Sequence, residues 1–414
     1  MKKNYYAWVM VAMSCFICFV SIGMISNSVH APYFIEGGLT NAENSLLVSL
    51  RTFSGVFATA VCGVYYKKLS LKNGMALGLL FGAISYALYS IADVFWIYAV
   101  AALFSGVCFG IASSVPTSIL VKNWFNKNRS LAFGITTASS GLTSLVLPQI
   151  VKVLTDAFSF KTTLMIEAIL FVVVAVLTFV LVVDNPADKG LEPYGGTVEN
   201  TEESNAKSKK HFAYLPGELK PTKLHFVILC LIFFLIGCQL YATWNHMSLL
   251  YSTEGIDMTI VMSLISIAGG ALMVGKIVFG VFSDKFNGKI AYIVFCIVQV
   301  VGMFISCFAA YTHSLPLGII GCLLEGGAAV TATTGMSTIC SELYPNPEEY
   351  KNKLVTLTVV YNAGGFIFSP IFGIIADGVG SYIPAFIMAS ILGIVTIILI
   401  AILYSGAKKN AELS

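Results

Sequence analysis

Long runs of apolar residues, separated by short polar clusters, set the pattern of this 414-residue chain. Twelve such runs can be drawn, over residues 6–28, 44–66, 74–92, 95–121, 130–154, 161–183, 224–251, 258–282, 290–311, 315–341, 353–376 and 382–404. Each approaches or exceeds the roughly 20 residues that a helix needs to cross a hydrocarbon layer of about 30 Å. The pattern predicts an all-α membrane protein with twelve transmembrane helices. A charged segment over 184–223 divides them six and six, and the two sets carry matching landmarks. Gly63 is followed by Tyr65-Tyr66-Lys67-Lys68, and Gly280 by Ser283-Asp284-Lys285. Pro148 follows Ala138-Ser139-Ser140-Gly141, and Pro370 follows Ala363-Gly364-Gly365. These offsets of 217 and 222 residues indicate one six-helix unit used twice. The expected plan is a first half over 1–183, a linker over 184–223 and a pseudo-symmetric second half over 224–414.

Composition agrees with a bilayer as the main partner. The chain is 57% hydrophobic and 11% charged, with a mean hydropathy of +0.84, whereas a soluble domain carries about 25% charged residues. Twelve spans leave no room for a second soluble domain. Two six-helix halves with a site between them is a plan of secondary transporters, so solute transport is the leading expectation. Lys2, Lys3, Lys67, Lys68, Lys72, Lys122, Lys127, Arg129, Lys285, Lys289, Lys351, Lys353, Lys408 and Lys409 fall on one side of the predicted layer. Glu36, Glu43, Asp93, Asp156, Glu254, Asp257 and Asp377 fall on the other, with Lys161 the main cationic exception. This bias predicts cytoplasmic termini and linker, and explains the basic patches without nucleic acid. Residues 1–28 lack a small-residue cleavage site and read as a retained first span.

All ten cysteines fall inside predicted spans. Cys15 and Cys18 form a C-x-x-C with no histidine or second pair beside it, so packing is expected in place of a metal or redox role. No cofactor is implied. The mixed Glu, Lys, Asn, Ser and Gly content of 184–223, with prolines at both ends, reads as a flexible linker with a short surface helix. Gly269-Gly270, Gly326-Gly327 and Gly364-Gly365 suit close helix packing. Pro116, Pro148, Pro316 and Pro370 lie where they can bend a helix and release carbonyls.

A charge at mid-span costs roughly 2.5–3.5 kcal/mol on insertion scales. Lys276, eight residues before Asp284, lies about 12 Å from a helix end. Glu325, eleven past Ser314, lies about 16 Å deep, and Asn362, nine past Lys353, about 13 Å. All three are expected near the midplane on helices 8, 10 and 11. A site holding Lys276 and Glu325 would be neutral when empty and would need a proton on Glu325 to accept an anion. Arg51 is expected close enough to the outer surface to snorkel or pair with Glu43 or Glu36, or to serve an outer gate. Glu167 is expected to reach water. His30, near Tyr33, and His246, near Trp244, read as local caps or cavity lining. Tyr241, Trp244, Asn245 and Tyr361 supply candidate aromatic and hydrogen-bonding walls.

Several segments carry a resemblance. Gly280-Val281-Phe282-Ser283-Asp284-Lys285-Phe286-Asn287-Gly288-Lys289 resembles the helix 8–9 link of the major facilitator superfamily. Asn123-Trp124-Phe125 through Arg129 to Gly134 resembles the link after helix 4 in its oxalate/formate antiporters and monocarboxylate porters, as does Asp188-Lys189-Gly190-Leu191-Glu192-Pro193-Tyr194-Gly195 past helix 6. Gly275-Lys276 through Gly280 and Ser369-Pro370 through Asp377 fit the same group. The resemblance implies that Lys276 binds a substrate carboxylate and that Asp284 and Lys285 form a gating latch, weakened in the first half where Lys67 replaces the acid. Two departures matter. Asn362 stands where the oxalate carriers have a second cation, which points away from oxalate and towards a monocarboxylate or another small anion. Ser114 stands where an aromatic is often found.

The expected function is secondary active transport of a small organic anion by alternating access, through proton symport or anion exchange. Lys276, Asn362, Tyr361, Tyr241 and Trp244 would bind it, Glu325 would couple protons, and Asp284, Lys285 and Arg51 would gate. A bacterial inner membrane and a monomer or weak dimer are expected. The rivals are a drug exporter of the same superfamily and a non-transporting membrane sensor. An enzyme is disfavoured because no paired acids, metal set or Ser/His arrangement converges at one depth.

Overall fold

The computed structural model describes residues 5–24, 27–195 and 219–412. Twelve helices are long and apolar enough to cross a membrane. They are α1 (Tyr5–Met24), α2 (Asn41–Lys68), α3 (Leu71–Ile91), α4 (Phe95–Trp124), α5 (Leu131–Ala157) and α6 (Phe160–Leu181). After the linker come α7 (Lys223–Ser252), α8 (Met258–Lys285), α9 (Gly288–Thr312), α10 (Leu315–Leu343), α11 (Glu348–Val379) and α12 (Ile383–Ala411). Helices are the form such runs must take, because a bilayer interior offers no water to satisfy the backbone. Side-chain caps start several of them. Ser70 accepts from the Asn73 amide, Asn287 from Ile290, and Asn346 from both Glu348 and Glu349.

The helices form two compact units. One comprises Met1–Ser26 and Leu50–Asn205, the other Asn27–Ser49 and Ala206–Ser414. The segment Asn27–Ser49, which holds a short helix (Asn27–Glu36) and the start of α2, thus belongs with the second unit. In the first unit, α3 packs on α6 and α4, with Gly82 against the Phe171 ring and Gly78 against Ile111 and Ala112. A Cβ on Gly106 would overlap the Arg51 carbonyl, so α2 and α4 cross backbone to backbone. The second unit holds two apolar cores. One gathers Phe233, Phe279, Tyr292 and Tyr404, and the other Tyr251, Met303, Phe372 and Phe386. Outward-facing residues such as Phe57, Val176, Val180, Ile277 and Ile374 remain exposed, as lipid contact requires.

Among the described residues, four spans are irregular. A π-helical turn covers Phe19–Met24 in α1 and another covers Gly237–Tyr241 in α7. α4 is bent open at Ala112–Ser113, and α10 narrows to a 3-10 turn over Ala329–Ala332. Pro116 explains the α4 break, since it lacks the amide that Ala112 would bond and its ring crowds that carbonyl. Pro148 and Pro370 sit inside unbroken helices, and Pro316 occupies the first turn of α10.

The linker departs from the expected flexibility over its first dozen residues. Pro186–Lys189 forms a 3-10 turn, Gly190 takes a left-handed φ of +64°, and Phe125 and Tyr194 form a parallel bridge. Tyr194 packs on Trp8 and Phe125 while Lys189 lies 4.1 Å over the Tyr6 ring. Aromatic contact offsets the ordering entropy that polar composition alone would leave uncompensated. The rest of the linker, from 196 to 218, lies outside the described residues.

Candidate functional site

Lys276 sits on α8 beside Gly275, and that glycine sets its position. A Cβ at Gly275 would overlap the Gly327 carbonyl of α10, and one at Gly326 would overlap the Ala268 carbonyl of α8. The two helices therefore cross backbone to backbone, with Lys276 and Glu325 within about one turn of the same level. Lys276 is partly buried, and among the described residues it has no hydrogen bond or ion pair.

Glu325 is 4% exposed but does not face Lys276. Successive helical residues are turned by about 100°. Because Gly326 and Gly327 occupy the surface towards α8, Glu325 turns to α9, where a Cβ on Gly302 would press on its backbone and Cγ. Ser306, Cys307, Cys322 and Tyr251 lie within electrostatic or hydrogen-bonding range of its carboxyl. Glu325 Oε1 and Ser306 Oγ both lack a hydrogen bond of good geometry. Lys276 and Glu325 form no ion pair among the described residues.

Tyr241 and Tyr361 are brought together edge to face, with ring centroids 5.9 Å apart. Glycines on both partners cause this. A Cβ on Gly237 would overlap the Tyr361 carbonyl, one on Gly364 the Phe234 carbonyl, and Gly365 lies under the Tyr241 ring. Asn362, next in sequence, donates its Nδ2 to the Thr358 carbonyl at 2.7 Å, which occupies one of its donors within its own helix. Trp244 packs against both apolar cores of the second unit.

The remaining candidates lie on several other spans. Glu43 accepts from the Thr40 amide and hydroxyl, and Arg51 acts electrostatically on Tyr86 and Tyr89 of α3. Glu167 does not reach water; it is 4% exposed and acts on the same Tyr86. His246 is no helix-end cap. It is fully buried between Phe372 and Tyr382, with Nδ1 2.7 Å from the Ala242 carbonyl and Nε2 2.8 Å from Ser45 Oγ. His30 is buried and stacked on Phe34, with ring centroids 6.2 Å apart. Asp284 and Lys285 are exposed and form no ion pair among the described residues; Lys285 instead lies over the Phe286 ring.

Other carboxylates, missed in the sequence, hold helix starts. Glu342 accepts from the Gly288 amide and the Tyr404 hydroxyl, each at 2.7 Å. Asp184 accepts from Leu71 and Lys72, and Asp377 from the Asn41 and Ala42 amides at 3.0 and 2.9 Å. Nothing local signals these contacts, since each spans fifty or more positions. The cysteines are free, Cys15 and Cys18 contacting Ile135 and Thr117, and the described residues contain no metal-ligand cluster.

The family model of the Major Facilitator Superfamily matches residues 9–357. The chain belongs to the major facilitator superfamily. Its members here are transporters, not enzymes. It is 22% identical to the MFS transporter asaE of Aspergillus flavus, over 90% of this chain and 81% of that one. Identity is 22% to human Monocarboxylate transporter 12 (92% and 77% covered) and 23% to the Agnestins efflux protein AgnL12 of Paecilomyces divaricatus (87% and 78%). The fold matches the nucleoside transporter NupG with a TM-score of 0.73 at 14% identity, covering 98% of this chain and 99% of that one. A bacterial homolog of the human lysosomal transporter Spinster gives 0.65 at 12% identity, covering 100% and 98%. The relatives named come from fungi and human, so the expected bacterial inner membrane is not carried further. A multi-pass membrane transporter is what stands.

Proposed function

We propose that this superfamily member carries a small organic anion, first of all a monocarboxylate, by alternating access. Lys276 carries the reading: a cation about 14 Å inside the end of α8, partly buried, with no partner among the described residues. A carboxylate there would neutralise it. Moving the pair together avoids the roughly 2.3 kcal/mol that one net charge costs against 100 mV. Tyr241, Tyr361 and Asn362 are assigned to orienting the anion, and the relative named a monocarboxylate transporter supports the same class. Glu325 is assigned the proton. Its position against α9 favours coupling through the α8–α10 crossing over an ion pair with Lys276. The relative named an efflux protein supports a second reading, export of an apolar or cationic compound.

Uptake of labelled formate, acetate, lactate, pyruvate and oxalate into proteoliposomes, with and without a pH gradient, tests both. The expected result is gradient-driven monocarboxylate uptake that falls at least about tenfold in Lys276→Ala and loses its response to the gradient in Glu325→Gln. Uptake indifferent to Lys276 would overturn the anion site, and gradient-driven uptake retained in Glu325→Gln would overturn the coupling. Uptake of none of the five would favour the export reading.

A further inference from the structure

Three of the four irregular spans share a feature that neither family membership nor the anion site requires. At α4, the bend at Ala112–Ser113 puts the Ile111 carbonyl outside the helical ladder, and Tyr66 of α2 donates its hydroxyl to it at 2.6 Å. At α10, Tyr292 of α9 donates to the Thr331 carbonyl at 2.9 Å, within the 3-10 turn, and its ring lies on Gly335 just beyond. At α1, Tyr86 of α3 donates to the carbonyl of Met24, the last residue of the π turn. Tyr86 and Tyr292 are buried, and all three donors stand on uninterrupted helices. In α7 the Tyr241 carbonyl is bonded instead by Asn245 of the same span.

We propose that Tyr66, Tyr86 and Tyr292 are positioning residues of the transport cycle, each holding an irregular span in its bent form. A released carbonyl in a bilayer interior must find another donor. A neutral hydroxyl supplies one without burying a charge. Alternating access rocks or gates one bundle against the other; any straightening or sliding of a bent span that accompanies it must break this bond. The three hydroxyls thus set how strongly the bent form is preferred. The inference rests on superfamily membership and not on which solute is carried.

The test uses the full-length purified protein and Tyr66→Phe, Tyr86→Phe and Tyr292→Phe, which keep each ring and remove one hydroxyl. Tyr65→Phe is the control, since Tyr65 donates to the Gly74 carbonyl of the unbroken α3 at 3.0 Å. Hydrogen–deuterium exchange should rise about tenfold over 112–118 in Tyr66→Phe and over 332–338 in Tyr292→Phe, the scale expected for one lost hydrogen bond. It should not change in Tyr65→Phe. In a Pro116→Ala background, where the amide missing at 116 is restored, Tyr66→Phe should have no further effect. With labelled lactate as probe, the maximal uptake rate should shift at least threefold in all three variants while half-saturation stays within twofold. Exchange at the wild-type level at both breaks, an equal rise in Tyr65→Phe, or raised exchange with an unchanged maximal rate would overturn the proposal. The exchange arm decides the stapling even where no anion is carried, so its failure is distinguishable from failure of the anion reading.

Discussion

Spans α4 and α10 are interrupted in mid-course and held there by tyrosine hydroxyls, whereas α2, α3 and α9 run unbroken and are held at their starts by carboxylates distant in the sequence. The division follows cost. A carboxylate at a helix N-terminus meets partial positive charge and is near water, whereas the same group in mid-span would be expensive. A hydroxyl is neutral and can serve at depth. Proline does not draw the line: Pro148 and Pro370 lie in continuous helices, and α10 breaks with no proline at the break. What the interrupted spans share is a neighbour able to take up the freed carbonyl.

The contrast can be broken most severely at Gly335. Valine there would drive the Tyr292 ring off the α10 break, and we expect a loss of about 3 kcal/mol or more, read as a lowered thermal midpoint or loss of the monodisperse peak in detergent. A smaller effect is expected at a helix start. Asp377→Ala leaves the Asn41 and Ala42 amides without their acceptor and should cost about 1–2 kcal/mol, read by the same midpoint. Pro148→Ala and Pro370→Ala should be the mildest, within about 1 kcal/mol, because no break depends on them. A large loss from either proline would show that it shapes its span after all.

The twelve spans were legible because apolar runs of this length have no other stable form. Their ends were less so. The predicted start of helix 11 at 353 misses a polar first turn that Asn346 caps, which hydropathy does not register. The break in α10 is invisible in the sequence because the hydroxyl that takes up its carbonyl lies on α9. At the candidate site, the depth of Lys276 and Glu325 can be read from spacing, whereas the facing of Glu325 needs its neighbours. Gly326-Gly327 did hold the signal: two adjacent glycines mark the packing surface, and the residue before them turns off it. Distance from the layer edge puts Glu167 in reach of water, which ignores its burial near Tyr86 of α3.

The grouping of Asn27–Ser49 with the second unit has a consequence for how the chain is made. The Asn41 and Ala42 amides and the Ser45 hydroxyl leave the ribosome early, yet Asp377, their acid partner, follows 336 positions after Asn41. At roughly 5–20 residues per second that is a wait of about 20 to 70 s. His246 arrives within that interval to meet Ser45. During it the Glu43 amide at the start of α2 has the Thr40 hydroxyl as its acceptor. Biogenesis therefore contains a clocked interval in which an early hairpin stands half-finished, and slowing translation beyond Pro148 would lengthen that exposure without altering a single residue.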